Sequence, residues 1–189
     1  MTIHIALLRG INVGGNNKIK MAELREVLGR MGLARVRTYI QSGNILFESD
    51  EREETLRGRI ELEMEKAFGL TLKVIIRTAE ELRQMVAKLP FTNQQIAAAK
   101  ASAIGECLHV SMLMSEPVAE RVDKLKSLDF QNDQYRIIGR DVYLLFGSSI
   151  RDSKLAVQVE KLGVATTTRN WKTINKLVEL ADELENKNG

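Results

Sequence analysis

The order of apolar patterns constrains this chain most, because the same order occurs twice in 189 residues. In the first half, residues 3–11 read as a strand. Residues 22–32 place Leu24, Val27, Leu28 and Met31 on one face at helical spacing, and Gly32 supplies a stop. Residues 36–41 and 45–48 are β-rich and flank Ser42, Gly43 and Asn44, a three-residue hairpin signal. A second helix is expected over 53–68, with Leu56, Ile60 and Met64 inward and Gly69 as its stop. A strand over 71–77 and a helix over 79–89, ended by Pro90, complete the half. This β-α-β-β-α-β order is the split βαβ pattern of a ferredoxin-like fold, in which both crossover helices cover one side of a four-stranded antiparallel sheet.

The second half repeats it. Strands are expected over 107–114, 135–138, 142–146 and 165–170, and helices over 118–128, 153–162 and 173–184. Gly139, Arg140 and Asp141 mark its hairpin, and Gly163 stops its second crossover helix. His4 matches His109, the Tyr39…Phe47 pair matches Tyr135…Phe146, and Arg77 falls opposite Arg169. The expectation is an α+β protein of two ferredoxin-like subdomains, residues 1–90 and 107–189, related by internal duplication. Residues 91–106, rich in small side chains, read as a linker or a flap between them.

Composition narrows the class. An apolar fraction of 44% suffices for a packed core, and no apolar run approaches the roughly 18 residues of a membrane span. The N-terminus carries no basic, cleavable leader pattern, and a single Cys107 cannot form an internal disulfide, so a cytoplasmic protein is expected. The net charge of +3 says little, but its distribution says more. Residues 1–47 hold seven Lys/Arg and two acids, and residues 165–176 hold Arg169, Lys172 and Lys176 with no acid. Two basic regions can act as one field if the fold joins them.

Residues 6–21, ALLRGINVGGNNKIKM, form the main candidate site. A strand ends at Arg9, and a loop of three glycines, three asparagines and two lysines leads into a helix. Such a strand–loop–helix aims backbone N–H groups and positive charge at one point, which suits an anion. Arg9, Asn12, Asn16, Lys18 and Lys20 are its candidate ligand-binding residues. The spacing fits neither a P-loop nor GxGxxG. The same asparagines also suit a long loop folded on itself by Asx turns. Thr168, Arg169 and Asn170, within residues 166–171 (TTTRNW), form a second candidate cluster. Ser42 and Asn44 form a third, where turn chemistry explains them equally well.

The segments ALLRGINVGGNNKIKM, YIQSGNILF and TTTRNWKT, in this order and spacing, resemble an uncharacterised bacterial family known as domain of unknown function 1697. The resemblance implies two ferredoxin-like subdomains and carries no established activity.

Catalytic constellations are missing. His4 and His109 both lie in expected strands, one Cys and two dispersed His make a metal site unexpected, and no cofactor motif is present. The expectation is therefore a protein that binds a small anionic ligand, phosphorylated or nucleotide-like, between residues 9–20 and 166–171. One alternative is an enzyme acting on a nucleotide or phosphoester, favoured if a carboxylate such as Glu48 or Asp141 lies beside the basic cluster. Another is an RNA-binding protein using open sheet faces, although the RNA-recognition consensus is absent.

Overall fold

The computed structural model describes residues 1–186. Its elements are β1 (Thr2–Leu8), α1 (Met21–Arg30), β2 (Ala34–Tyr39), β3 (Asn44–Ser49), α2 (Glu53–Phe68), β4 (Val74–Thr78) and α3 (Ala79–Ala87). They continue with α4 (Asn93–Ser102), β5 (Leu108–Leu113), α5 (Ala119–Lys126), β6 (Gln134–Ile138), β7 (Asp141–Leu145), α6 (Lys154–Val159), β8 (Thr166–Asn170) and α7 (Trp171–Asn186). Two four-stranded antiparallel sheets form, ordered β2-β3-β1-β4 and β6-β7-β5-β8. Both have the ferredoxin-like order expected from the sequence.

The chain divides into two compact units, Met1–Gln84 with the residues from Asn175 onward, and Met85–Ile174. This division differs from a simple halving at residues 90 and 107. The C-terminal part of α7 groups with the first unit because its contacts lie there. Its Leu177, Leu180, Ala181 and Leu184 share one buried face at helical spacing. Arg83 holds Asp182 at 2.7 Å, Arg37 holds Glu183 at 2.7 Å, and Arg35 donates to the Leu184 carbonyl. Residues 91–106, read as a linker or a flap, hold a short helix. They carry α4, started by a Thr92/Gln95 capping box, and α4 belongs to the second unit. Gln95 bonds Gln134 at 3.2 Å, and Phe91 lies beneath the Arg136 guanidinium at 5.6 Å.

In the first unit the sheet buries both faces. Ala6, Leu8, Ile45, Phe47, Val74 and Ile76 face the inward stripes of α1 and α2. Ile5, Leu7, Leu46 and Ile75 occupy the opposite face and are also buried. The C-terminal part of α7 is tied to Arg35 and Arg37 of the edge strand β2. The helix α2 ends where Gly69 takes φ +67 and lets Leu70 N–H reach the Met64 carbonyl. In the second unit Leu113, Val142, Leu144 and Phe146 pack with Leu125, Leu155 and Val159 of α5 and α6.

The β1, β3 and β4 strands of the first sheet match β5, β7 and β8 of the second in register. Arg77 pairs with Ile5 and Arg169 with Val110, while His4 pairs with Thr78 and His109 with Asn170. The Tyr…Phe correspondence differs from the sequence expectation. In this register Leu144, not Phe146, stands where Phe47 stands, and Ile138, not Tyr135, where Tyr39 stands. Phe146 still meets His109, edge-on at 5.3 Å, where Phe47 stacks on His4 at 5.7 Å. The first hairpin turn is also longer than expected, because β2 ends at Tyr39 and Ile40 and Gln41 enter the turn. Two bonds require this. The Gly43 carbonyl accepts from Leu8 N–H at 2.8 Å, and the Asn44 amide reaches back to the Tyr39 carbonyl at 3.1 Å.

Candidate functional site

The loop between β1 and α1 is a miniature hairpin. Asn12 N–H donates to the Asn17 carbonyl at 3.1 Å and Asn16 N–H to the Val13 carbonyl at 2.9 Å. Gly14 and Gly15 sit at the tip with φ +58 and +81, the positive pair a type I′ turn demands. Asn12 locks the base. Its amide donates to Ile19 O at 3.1 Å and to Gln41 O at 2.9 Å, and its oxygen accepts from Ile19 N–H at 2.8 Å. Asn17 donates to the Gly10 carbonyl at 2.9 Å. Asn12 and Asn17 both adopt positive φ, which asparagine tolerates better than most residues.

This lock shapes a groove of about 580 Å³ lined by Asn12, Gly15, Lys18, Ile19, Lys20, Met21, Glu23 and Gln41. The helix α1 opens into it. Its N-cap is Lys20, which makes no side-chain capping bond, so no N-cap side chain accepts from the first-turn N–H groups. Lys18 is exposed and makes no hydrogen bond or ion pair among the described residues. Lys20 lies 3.6 Å from Glu23.

The expected site residues are thus sorted by the structure. Asn12, Lys18 and Lys20 share the groove. Asn16 lies in the exposed hairpin beside it, and Arg9 is exposed where β1 ends. Asn44 is fully buried, and its amide serves the turn by donating to Tyr39 O and to Ser42 Oγ at 2.9 Å. Thr168, Arg169 and Asn170 belong to the second unit. Thr168 and Ser111 share a 2.6 Å hydrogen bond. Arg169 donates to Thr167 Oγ1 at 2.8 Å and to the Thr168 carbonyl at 3.0 Å, and burial pushes its guanidinium down to about 10. Asn170 accepts from Thr173 N–H at 2.8 Å and so caps α7. The last helix, expected from residue 173, starts two residues earlier, at Trp171.

Sequence reasoning missed Glu23 as a groove residue. Its signal was present, an acid in the first turn of a helix that starts at the loop. Glu48, considered as a carboxylate beside the basic cluster, is buried and paired with Arg35 at 2.8 Å instead. Among the described residues, no group of three His, Cys, Asp or Glu could hold a metal, and no helix is long and apolar enough to cross a membrane.

Comparison with known proteins agrees with this architecture. No curated protein matches the chain. A solved structure, that of conserved bacterial protein SP0830 from Streptococcus pneumoniae, is 27% identical with a TM-score of 0.72. The match covers 95% of this chain and 98% of that one. The model of a family described as protein of unknown function (DUF1697) matches residues 1–143, which include the hairpin loop and both lysines. With its glycine-asparagine hairpin and its paired sheets in place, the chain belongs to the DUF1697 family.

Proposed function

We propose that this protein binds a small phosphorylated or similarly anionic ligand in the groove of its first unit. One observation carries the reading: the uncapped first turn of α1 opens into a groove of about 580 Å³ beside Lys18, a cation with no ion partner among the described residues. Exposed N–H groups and the positive end of the helix dipole favour negative charge there, and Lys18 and Lys20 add to it. Arg9 and Asn16 extend the polar rim. The locked hairpin preorganises the groove, so little ordering cost falls on binding. The lone, buried thiol of Cys107 suits a cytoplasmic protein.

The test is thermal shift against inorganic phosphate, nucleotides and short RNA, for wild type and Lys18→Ala. An anion at 100 times its dissociation constant stabilises by about 2.7 kcal/mol. A shift with phosphate or a nucleotide that Lys18→Ala loses supports the reading. No shift with any anion refutes it.

Glu23 favours a second reading, an enzyme acting on a bound phosphoester, because it places a carboxylate in the same groove. Under that reading Glu23→Gln keeps the phosphate-induced shift and abolishes phosphoester turnover. RNA binding through an open sheet face has less support, since Ile5, Leu7, Leu46 and Ile75 on the second face of the first sheet are buried. The matched registers of Arg77 with Arg169 and of His4 with His109 favour internal duplication as the origin of the two units.

A further inference from the structure

In the second unit, the loop that follows α5 and the residues around the start of α6 enclose a pocket of about 300 Å³. That is the small end of the roughly 300–1,000 Å³ range of ligand sites, and it suits a molecule the size of an amino acid. Leu128, Phe130 and Val157 supply its apolar lining. Leu128 is 39% exposed and Val157 51%. Single exposed apolar side chains are ordinary, but here two of them line one concavity.

The walls are held in place. Asp133 accepts from Gly147 N–H at 2.9 Å and from Ser153 Oγ at 2.6 Å, which ties the loop to the residue preceding α6. Asp133 N–H donates to the Phe130 carbonyl at 3.1 Å, and the Phe130 ring meets Tyr135 edge-on at 6.0 Å. Gln131 turns the chain at φ +57, with its N–H on the Asp129 carboxylate at 2.9 Å. A pocket fixed in this way loses little to ordering when it binds.

Four charges of both signs line the same pocket, Arg151 and Lys154 against Asp129 and Asp152. Among the described residues none of the four forms an ion pair, and the side chains of Arg151, Asp152 and Lys154 make no hydrogen bond. This unsatisfied balance selects the occupant. A ligand that is only an anion meets the two acids, and one that is only a cation meets the two bases. An uncharged apolar ligand takes water from all four and pairs with none.

We infer that this pocket binds a free α-amino acid with a large apolar side chain. Such a molecule alone carries both charges and an apolar body within so small a volume. Its carboxylate pairs with Arg151 and Lys154, and its ammonium with Asp152 and the second oxygen of Asp129. Its side chain covers Leu128, Phe130 and Val157. The pocket lies wholly in the second unit, so this inference stands independently of the anion groove in the first.

The experiment follows the amide resonances of the full chain during titration with L-phenylalanine, L-phenylalaninamide and N-acetyl-L-phenylalanine. The amide derivative lacks the carboxylate and the acetyl derivative lacks the ammonium. The expected result is saturable binding of phenylalanine that shifts the Phe130, Arg151 and Lys154 amides, about tenfold tighter than that of either derivative. Asp152→Asn, an exposed substitution, narrows the preference over the acetyl derivative and keeps the preference over the amide derivative. Four results overturn the inference: no saturable binding of phenylalanine, binding that leaves those amides unmoved, either derivative binding as tightly as phenylalanine, or an unchanged preference over the acetyl derivative in Asp152→Asn.

Discussion

The amide of Asn12 donates to the carbonyl of Gln41, 29 residues away, at 2.9 Å. That bond ties the β1–α1 loop to the turn between β2 and β3. Together with its two bonds to Ile19, it makes Asn12 a strut of the groove.

Asn12→Ala removes all three bonds and places alanine at φ +53. At about 1 kcal/mol per bond and at least 1 kcal/mol for the left-handed backbone, unfolding stability falls by about 3–4 kcal/mol. Asn17→Ala, with one side-chain bond to lose, costs about 1–2 kcal/mol by the same measures. Urea titration of both variants measures the difference. Equal, small losses would mean that the hairpin tip, not Asn12, holds the loop.

Gly43 takes φ +82, and a Cβ there meets Leu8 Cβ at 2.7 Å and Ile11 Cδ1 at 2.9 Å. Gly43→Ala therefore combines backbone strain with overpacking against the end of β1, a loss of about 2–4 kcal/mol. Gly15→Ala has the same sign of φ but open space, and costs about 1 kcal/mol. Thermal unfolding should rank the two in that order, and the reverse ranking would remove the close approach from the explanation.

Glu48 is 5% exposed and pairs with Arg35 at 2.8 Å. Arg35→Ala takes this partner from a buried carboxylate and costs about 3 kcal/mol. Arg35→Met with Glu48→Leu replaces both charges by apolar volume and recovers most of that loss. A double variant no more stable than Arg35→Ala would show that the cost lies in the backbone of β2.

Burial holds His4 below its usual range and pushes His109 down to about 4. Both are neutral in the fold, whereas the unfolded chain takes up protons as pH falls below about 6.5. Their contribution to stability is thus level above pH 6.5 and declines from there toward pH 4. His109 accounts for up to about 3 kcal/mol of the decline. His109→Leu should flatten the pH profile of the denaturation midpoint between pH 6.5 and 4. A slope as steep as wild type would assign the acid sensitivity to other groups.

Short-range patterns in the sequence determined which segments are helix and strand, where Gly32 and Gly69 end α1 and α2, and that Arg77 and Arg169 hold equivalent places. Such features depend on residues a few positions apart, and local sterics settle them. The basic, glycine-rich loop was legible as a candidate site for the same reason. Where its amides point was not. Asn12 serves Gln41, Asn44 serves Tyr39 and Asn170 caps α7, because each amide takes the nearest unsatisfied backbone group once the strands are paired. Glu23 entered the groove only because the hairpin folds back over the first turn of α1. The C-terminal half of α7 joined the first unit because its stripe of Leu177, Leu180 and Leu184 must be buried somewhere. A helical period reveals that such a stripe exists, and tertiary packing alone decides which surface covers it.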